Sequence, residues 1–271
     1  GPLPYWASTC MLEPFLLSGL SIGKAATSLK KLQRSWAPYS FTSYRRMALI
    51  QEKLPYIPLK ERDFPVNIPN SQMGLWTLLD NDTLLASAKT SSPLPLGLLT
   101  LKEDHENPPS RAYLKVQEAL TLAAFYFNIP LPGKGSHCFE AGACPGGWTW
   151  VLAGLGAQVL AVDRAPLAQS LMKNPLVTFM THDAFTLDPA ILSESGKIDW
   201  VFSDVICYPE RLLSWVKKWI EYSNPNMICT IKMQGQINWS LVQDFADIPQ
   251  SKVLHLHYNK HELTFIHKGS L

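Results

Sequence analysis

A short glycine-rich segment, Gly142-Ala143-Cys144-Pro145-Gly146-Gly147, separates an apolar run at 137–141 from a second one at 147–154. Glycines between a buried strand and a helix allow a sharp turn, and they let a ligand approach the free N–H groups of the helix N-terminus. The spacing is not the Gly-x-Gly-x-x-Gly of dinucleotide binders, which argues against a dehydrogenase. The segment predicts a ligand site in an open α/β sheet. The alternative is that these glycines only pack the helix on the strand.

The chain beyond the glycine-rich segment alternates strand and helix patterns. Such alternation predicts a doubly wound, mostly parallel Rossmann-like sheet in a domain at 106–271. The last two predicted strands are joined by a short loop and are expected to add an antiparallel strand at the sheet edge. The predicted strands are 137–141, 158–163, 177–181, 198–204, 227–232, 252–257 and 262–268, and the predicted helices are 111–127, 146–154, 167–172, 210–221 and 239–246.

The first 105 residues predict a smaller α+β domain. A helix at 22–35 would place Ile22, Ala25, Ala26, Leu29 and Leu32 on one face. Apolar runs on both sides of Asp80-Asn81-Asp82 predict a hairpin at 74–86. Proline-rich and charged segments at 91–110 are typical of a connector, which places the domain boundary near residue 105.

The net charge of +2 does not by itself indicate nucleic acid. Residues 24–53, however, contain seven Lys or Arg residues against the single acid Glu52, with aromatic residues between the charges. Such a stretch would bind phosphates and stack on bases, so we expect the N-terminal domain to bind nucleic acid. The alternative is a solvated helix face followed by a loop.

Composition excludes several classes of protein. No apolar run reaches the roughly 18 residues that span a bilayer, and the N-terminus has no signal-peptide pattern, although Gly1 in place of Met leaves the natural start open. The five cysteines are odd in number and form no Cys-x-x-Cys pair, which favours reduced cytoplasmic thiols over disulfides or zinc. A half-exposed strand face explains the three histidines His255, His257 and His261 better than a metal site does, so no metal is expected.

Two acids follow the next predicted strands. Asp163 ends the second strand, about 20 residues after the glycine-rich segment, and suits a ribose diol. Asp183 follows the third strand, where it would accept from an adenine amino group while Phe185 packs on the ring. Adenosine recognition without a strong pyrophosphate cradle favours S-adenosylmethionine over NAD as the cofactor.

The run from Glu140 to Trp148 resembles the first motif of the FtsJ-like ribose 2′-O-methyltransferases of RNA, Asp/Leu-Gly-x-x-Pro-Gly-Gly. Cys144, Trp148, the following Thr149-Trp150 and the run at 168–172 are most similar to the bacterial branch that methylates a cytidine ribose of large-subunit ribosomal RNA. The resemblance covers about residues 109–268 and departs at Glu140, where Asp is commoner. The cofactor-binding residues expected from the motif and from the strand ends together are Glu140, Gly142, Cys144, Pro145, Gly146, Gly147, Trp148, Asp163, Asp183, Ala184, Phe185 and Asp204.

The same resemblance implies a catalytic set of Lys115, Asp204, Lys232 and Glu262. Each occupies a matching context: Ser-Arg-Ala-x-x-Lys at 110–115, Ser-Asp at 203–204, Ile-Lys at 231–232 and Lys-His-Glu at 260–262. A ribose hydroxyl is a poor nucleophile and must lose a proton as it attacks, and a lysine can act as its base only if the lysine pKa falls. The resemblance implies that Lys232 is the base, that Asp204 orients it, and that Lys115 and Glu262 position and tune it.

These observations predict an enzyme that transfers methyl from S-adenosylmethionine to a ribose 2′-oxygen of RNA, with ribosomal RNA as the partner. Cys144 has no obvious histidine partner and is interpreted as a small packing residue, not a nucleophile. The segment 204–208 lacks the Pro-Pro-aromatic run of enzymes that methylate base amino groups. Two alternatives stay open: a non-catalytic RNA- or cofactor-binding protein, favoured if Lys115 or Glu262 points away from the cofactor, and a methyltransferase of another acceptor.

Overall fold

The structure is a computed structural model that describes residues 3–192 and 196–270. Internal contacts divide the chain after Thr100 into two compact units, Gly1–Thr100 and Leu101–Leu271. The division falls five residues before the boundary expected near residue 105. The chain start at Gly1 and Pro2 lies outside the described residues.

The N-terminal unit is an α+β fold. In its described part a four-stranded sheet has the order β1-β4-β3-β2, with β2 parallel to β3 and the other pairs antiparallel. Trp36 and Trp76 are fully buried in its core beside Leu29 and Ile50. Its elements are β1 (Phe15–Ser18), α1 (Ile22–Leu32), β2 (Trp36–Pro38), α2 (Tyr44–Gln51), β3 (Gly74–Leu78) and β4 (Thr83–Ser87).

The predicted hairpin is confirmed, while the predicted first helix is too long. Asp80 closes the hairpin by accepting hydrogen bonds from the backbone of Asp82 and Thr83, at 2.7 and 2.6 Å. α1 ends at Leu32 because Gln33 is already extended. Leu32 is 56% exposed, so including it in the buried face was wrong. The sequence did not predict β1, β2 or α2, which are only four, three and eight residues long.

The C-terminal unit confirms the predicted doubly wound fold. In its described part a seven-stranded sheet has the order β10-β11-β9-β8-β5-β6-β7, and β9, β8, β5, β6 and β7 run parallel. The strands are β5 (His137–Ala141), β6 (Gln158–Asp163), β7 (Val177–Thr181), β8 (Trp200–Ser203), β9 (Asn226–Lys232), β10 (Ser251–Leu254) and β11 (Glu262–His267). The helices are α3 (Tyr113–Phe127), α4 (Gly147–Gly154), α5 (Gln169–Met172), α6 (Pro189–Leu192), α7 (Pro209–Tyr222) and α8 (Trp239–Ala246).

β10 and β11 confirm the antiparallel addition expected at the sheet edge. β11 lies inside the sheet, antiparallel to both β9 and β10, and β10 forms the edge. Burial explains this order, since all six residues of β11 are buried whereas β10 is partly exposed. β10 also ends at Leu254, earlier than predicted, so His255 and His257 are not neighbours on one strand face.

The order of the parallel strands creates a place for a ligand. Chain order reverses between β5 and β8, because β6 lies on one side of β5 and β8 on the other. The connections after β5 and β8 therefore leave in opposite directions, and a crevice opens at the carboxyl ends of these strands. Both the glycine-rich segment after β5 and Asp204 after β8 lie at this edge.

Candidate active site

Four ionisable side chains converge at the carboxyl edge of the parallel strands. Lys115 lies in the first turn of α3, Asp204 directly follows β8, Lys232 ends β9 and Glu262 begins β11. Because β9 and β11 are antiparallel neighbours, Glu262 lies directly opposite Lys232 in the register. The structure thus brings together all four residues of the expected catalytic set, here called the tetrad.

The tetrad forms a closed ring of ion pairs. Lys115 Nζ lies 2.9 Å from Asp204 Oδ1 and 2.5 Å from Glu262 Oε1. Lys232 Nζ lies 2.7 Å from Asp204 Oδ1 and 2.7 Å from Glu262 Oε2. The four side chains are 8–20% exposed. Each charge is therefore largely removed from water and compensated by two opposite charges, the condition under which buried ions are tolerated.

The ring shifts the pKa of Asp204 and of Lys232. Burial alone would raise the pKa of Asp204, but Lys115 and Lys232 override it and lower that pKa below its ordinary value. Burial likewise opposes the charge on Lys232, yet the adjacent Asp204 and Glu262 carboxylates raise its pKa. A lysine base was expected to have a lowered pKa, whereas the pKa of Lys232 is raised in the structure. In the complete ring the two carboxylates therefore favour the protonated form of Lys232.

A cleft of about 410 Å³ opens beside the tetrad. Asp204 belongs to both, so the cleft and the ring of ion pairs share a carboxylate. The lining residues come from the segments that follow β5, β6, β7 and β8: Gly142, Cys144, Val162, Asp163, Arg164, His182, Asp183, Ala184, Phe185, Asp204, Val205, Ile206 and Arg211.

The cleft contains only part of the expected cofactor set. The expected residues that line it are Gly142, Cys144, Asp163, Asp183, Ala184, Phe185 and Asp204, and those that do not are Glu140, Pro145, Gly146, Gly147 and Trp148. Glu140 is buried within β5, where Oε2 accepts a hydrogen bond from Thr149 Oγ1 at 2.6 Å. Burial raises the pKa of Glu140 to about 8. Trp148 is also buried, and its ring N–H donates to the carbonyl of Ala112.

The glycines of the turn serve two different purposes. Gly142 has a φ of +74° and borders the cleft, where a Cβ would lie 2.5 Å from Val205 Cγ2. A Cβ at Gly146 would lie 2.2 Å from Leu171 Cδ1, and one at Gly147 would lie 2.5 Å from Ser110 Oγ. Gly146 and Gly147 thus allow close packing of neighbouring segments.

Residues 108–237 match the family described as FtsJ-like methyltransferase. Most of the C-terminal unit is therefore similar to this family. The matched range contains Lys115, Asp204 and Lys232 and ends before Glu262, so the structure supplies the fourth member of the tetrad independently of that match.

The curated relatives carry a common name. "Ribosomal RNA large subunit methyltransferase M" of Hahella chejuensis is 36% identical over 142 residues, covering 51% of this chain and 34% of the relative. The protein of the same name from Xanthomonas campestris pv. campestris is 32% identical over 205 residues, covering 69% of this chain and 56% of the relative. The chain thus spans between a third and little more than half of the relatives it matches. Among solved structures, the fibrillarin pre-rRNA processing protein of Methanococcus jannaschii is 15% identical, with 51% of this chain and 68% of that chain covered and a TM-score of 0.39.

Two carboxylates that line the cleft already accept hydrogen bonds from protein groups. Asp163 accepts hydrogen bonds from the backbone of Cys144 and Ala165, at 2.9 and 3.1 Å. Asp183 accepts from the N–H of Phe185, and Arg164 and Arg211 lie 2.8 and 3.3 Å from its Oδ2. A ligand amino group at Asp183 would therefore share the carboxylate with two guanidinium groups.

Sequence reasoning missed Arg211 as a cleft residue. Its guanidinium lies 5.1 Å from the centroid of the Phe185 ring and pairs with Asp183. Arg211 lies in the first turn of α7 and outside the motifs quoted above. Its pairing with Asp183, which follows β7, brings it to the cleft. The local sequence carried no signal for this placement.

The remaining expectations concern cysteine, histidine and membranes. Cys144 is exposed, with Sγ 3.3 Å from the Pro166 carbonyl, so its interpretation as a packing residue was wrong. His255 contacts the carbonyl of Lys260 at 3.3 Å. In residues 3–192 and 196–270 no group of three potential ligands is placed to hold a metal ion. No helix in these ranges has the length and apolarity needed to cross a membrane.

Proposed function

We propose that the chain transfers a methyl group from S-adenosylmethionine to a ribose 2′-oxygen of RNA, with large-subunit ribosomal RNA as the substrate class. The observation that carries the proposal is the tetrad, two lysines and two carboxylates in a buried ring that adjoins a cleft through Asp204. The match to the FtsJ-like family and the names of the relatives support the reaction and the kind of RNA.

The cleft suits a nucleoside-sized cofactor. Its volume lies within the range of about 300–1,000 Å³ typical of small-molecule sites. Asp163 lines the cleft with a carboxylate that suits a ribose diol, Phe185 lines it with an aromatic side chain that suits a base, and Gly142 borders it without a side chain. The Asp204 carboxylate at the end next to the tetrad suits a cation. When bound, S-adenosylmethionine supplies a methyl group on a positively charged sulfonium.

Lys232 is the base in this proposal, and the charge of the tetrad explains how it is prepared. Two protonated lysines and two ionised carboxylates make the ring neutral, and Asp204 and Glu262 keep the pKa of Lys232 high. A sulfonium cation bound beside Asp204 would make the site net positive and would favour loss of a proton from Lys232 to solvent, which its 19% exposed side chain reaches. Neutral Lys232 then accepts the proton of the attacking hydroxyl, while Asp204 and Glu262 stabilise the ammonium that forms.

Lys115 and Glu262 position the base. Lys115 contacts both carboxylates that hold Lys232, and its side chain is only 8% exposed, so its place in the ring leaves it little access to bulk solvent. Holding oxygen, methyl and sulfur in line accounts for much of the rate in such transfers, because well-aligned reactants avoid the entropy cost of encounter. Lys115 and Glu262 both point into the ring, which adjoins the cleft through Asp204, and this placement supports the catalytic proposal over the non-catalytic alternative.

The N-terminal unit is proposed to bind RNA. A cleft of about 540 Å³ on its surface is lined by Tyr44, Arg45 and Arg46, among others. The rings of the exposed Tyr39 and Phe41 lie 6.0 Å apart. Cations beside exposed aromatic rings are typical of surfaces that hold single-stranded nucleic acid. The exposed cations of this region are Lys24, Lys30, Lys31, Arg34, Arg45 and Lys53.

The cytoplasm is the compartment proposed for this reaction. All five cysteines, Cys10, Cys138, Cys144, Cys207 and Cys229, are free thiols. Free thiols are typical of reducing compartments, where proteins that modify ribosomal RNA meet their substrate.

The proposal is tested by transfer of tritiated methyl from S-adenosylmethionine to total RNA, followed by digestion to nucleosides. The wild-type chain is compared with Lys232→Ala, and binding of S-adenosylhomocysteine is measured in parallel. We expect label in 2′-O-methyl nucleosides from the wild type and loss of that label in the variant. Intact cofactor binding without transfer to any RNA would refute the proposal in favour of a binding protein or another acceptor.

A further inference from the structure

A buried acid outside the tetrad, Glu118, lies one helical turn from Lys115. Glu118 is three residues after Lys115 on α3, so both side chains lie on the same side of the helix. Glu118 is 1% exposed and Lys115 is 7% exposed. Neither the family motif nor the tetrad includes Glu118, and an acid is rarely buried without a specific partner.

The partners of Glu118 are two consecutive backbone N–H groups. Oε1 accepts from His257 at 2.9 Å and Oε2 accepts from Tyr258 at 3.0 Å. Both donors belong to the connection at 255–261 between β10 and β11. Successive N–H groups that point at one carboxylate form a local anion site. Burial raises the pKa of Glu118 to about 7. The two backbone donors oppose this shift, because amide N–H groups stabilise the ionised carboxylate.

The connection that Glu118 holds leads directly to the tetrad. Asn259 exchanges side-chain hydrogen bonds with Thr264 at 3.1 and 3.2 Å, and β11 begins at Glu262. Glu262 then gives Oε1 to Lys115 and Oε2 to Lys232. Helix α3 therefore fixes this part of the chain at two points, through Glu118 to the connection and through Lys115 to Glu262.

We propose that Glu118 is a positioning residue for the methyl transfer: by holding the backbone of His257 and Tyr258, it sets where β11 begins and hence where Glu262 meets both lysines. The inference rests on the proposed function. Glu118 does not line the cleft, so it acts through Glu262 and not on the cofactor. A displacement of about 1 Å at a catalytic group is enough to lower a rate by about 100-fold.

The test compares Glu118→Ala and Glu118→Gln with the wild type and with Glu221→Ala, which removes an exposed helix carboxylate. Hydrogen-exchange mass spectrometry of residues 255–262 reports the position directly and needs no activity. We expect faster exchange there in Glu118→Ala and a smaller increase in Glu118→Gln, which keeps one acceptor oxygen. Glu221→Ala should leave this segment unchanged.

Kinetics provide the second readout. We expect kcat for methyl transfer to fall about 10- to 100-fold in Glu118→Ala and less in Glu118→Gln, with S-adenosylhomocysteine affinity within about twofold of wild type. Unchanged exchange at 255–262, or faster exchange with unchanged kcat, overturns the inference. If Glu118→Ala does not fold, the isosteric Glu118→Gln decides by the same criteria. A wild-type chain without transfer activity refutes the proposed function instead, and exchange at 255–262 still decides whether Glu118 holds the connection.

Discussion

Lys115 and Lys232 donate to the same atom, Oδ1 of Asp204, at 2.9 and 2.7 Å. Two ammonium groups that share one oxygen repel each other, and Glu262 offsets this repulsion by giving a separate oxygen to each lysine. Loss of either carboxylate would leave two buried cations facing a single anion. The four residues are therefore energetically coupled, and the effects of their substitutions should not add.

Replacement of Lys232 should abolish turnover while cofactor binding is kept. Lys232 does not line the cleft, so Lys232→Ala should change S-adenosylhomocysteine affinity by less than about threefold. Loss of the base should lower the rate of methyl transfer by roughly 100- to 10,000-fold. Lys218→Ala is the matched control, because Lys218 forms an exposed pair with Asp188 at 3.0 Å. Near-wild-type turnover in Lys232→Ala would contradict its assignment as the base.

Asp204 should make stability depend on acid pH. The two lysines lower its pKa in the folded state, so its contribution is present above the unfolded value, about 3.9, and is lost as pH falls through the folded pKa. At neutral pH, Asp204→Asn breaks a buried pair and should cost about 3–5 kcal/mol of unfolding free energy. Denaturant unfolding should show that the difference in unfolding free energy between wild type and Asp204→Asn becomes smaller below about pH 4.

The control for Asp204 is an exposed ion pair. Asp188→Asn removes the partner of Lys218, and a surface pair of this kind contributes about 0–1 kcal/mol. The two variants are compared by the unfolding free energy that each loses relative to wild type. If Asp204→Asn loses as little as Asp188→Asn, the tetrad does not stabilise the fold.

Glu140 should have the opposite pH dependence. Burial raises its folded-state pKa from 4.5 to about 8, so its contribution is fully present below about pH 4.5 and is lost as pH rises through about 8. Gln at this position stays neutral and keeps an oxygen for Thr149. Glu140→Gln should therefore gain stability relative to wild type between pH 5 and 8, on the order of a few kcal/mol. Glu221→Gln, at an exposed position, should show no such gain in the same unfolding series.

Local patterns predicted the parts of the fold that depend on local chemistry. The strands at 137–141 and 158–163 and the glycine-rich turn were predictable, because burial and backbone conformation restrict the residues found there. The sequence positions of the tetrad residues were predicted from a family resemblance. The contact between their four side chains depends on the strand order. Neither propensity nor spacing could show that β11 enters the sheet between β9 and β10, because that choice depends on which faces the rest of the chain buries.

The charge state of the site was less predictable than its position. A lysine base suggested a lowered pKa, but in the structure two carboxylates at 2.7 Å outweigh the burial of Lys232. Arg211 and Glu118 were missed for a related reason. Their partners lie 28 residues away for Arg211 and 139 and 140 residues away for Glu118, so no local pattern marks them.

The N-terminal surface gives a prediction that does not depend on catalysis. Lys24 and Arg45 are exposed cations, and Arg45 lines the N-terminal cleft, so Lys24→Ala/Arg45→Ala should weaken binding of single-stranded RNA similarly for all sequences. If each cation contacts one phosphate, the slope of log affinity against log salt should fall by about 1 per substitution. Tyr44→Ala removes an exposed ring and should cost about 1–3 kcal/mol if a base stacks on it. Lys89→Ala, at an exposed lysine paired with Glu13 at 2.7 Å, is the matched control. An unchanged salt slope in the double variant would favour the interpretation of this stretch as a solvated helix face.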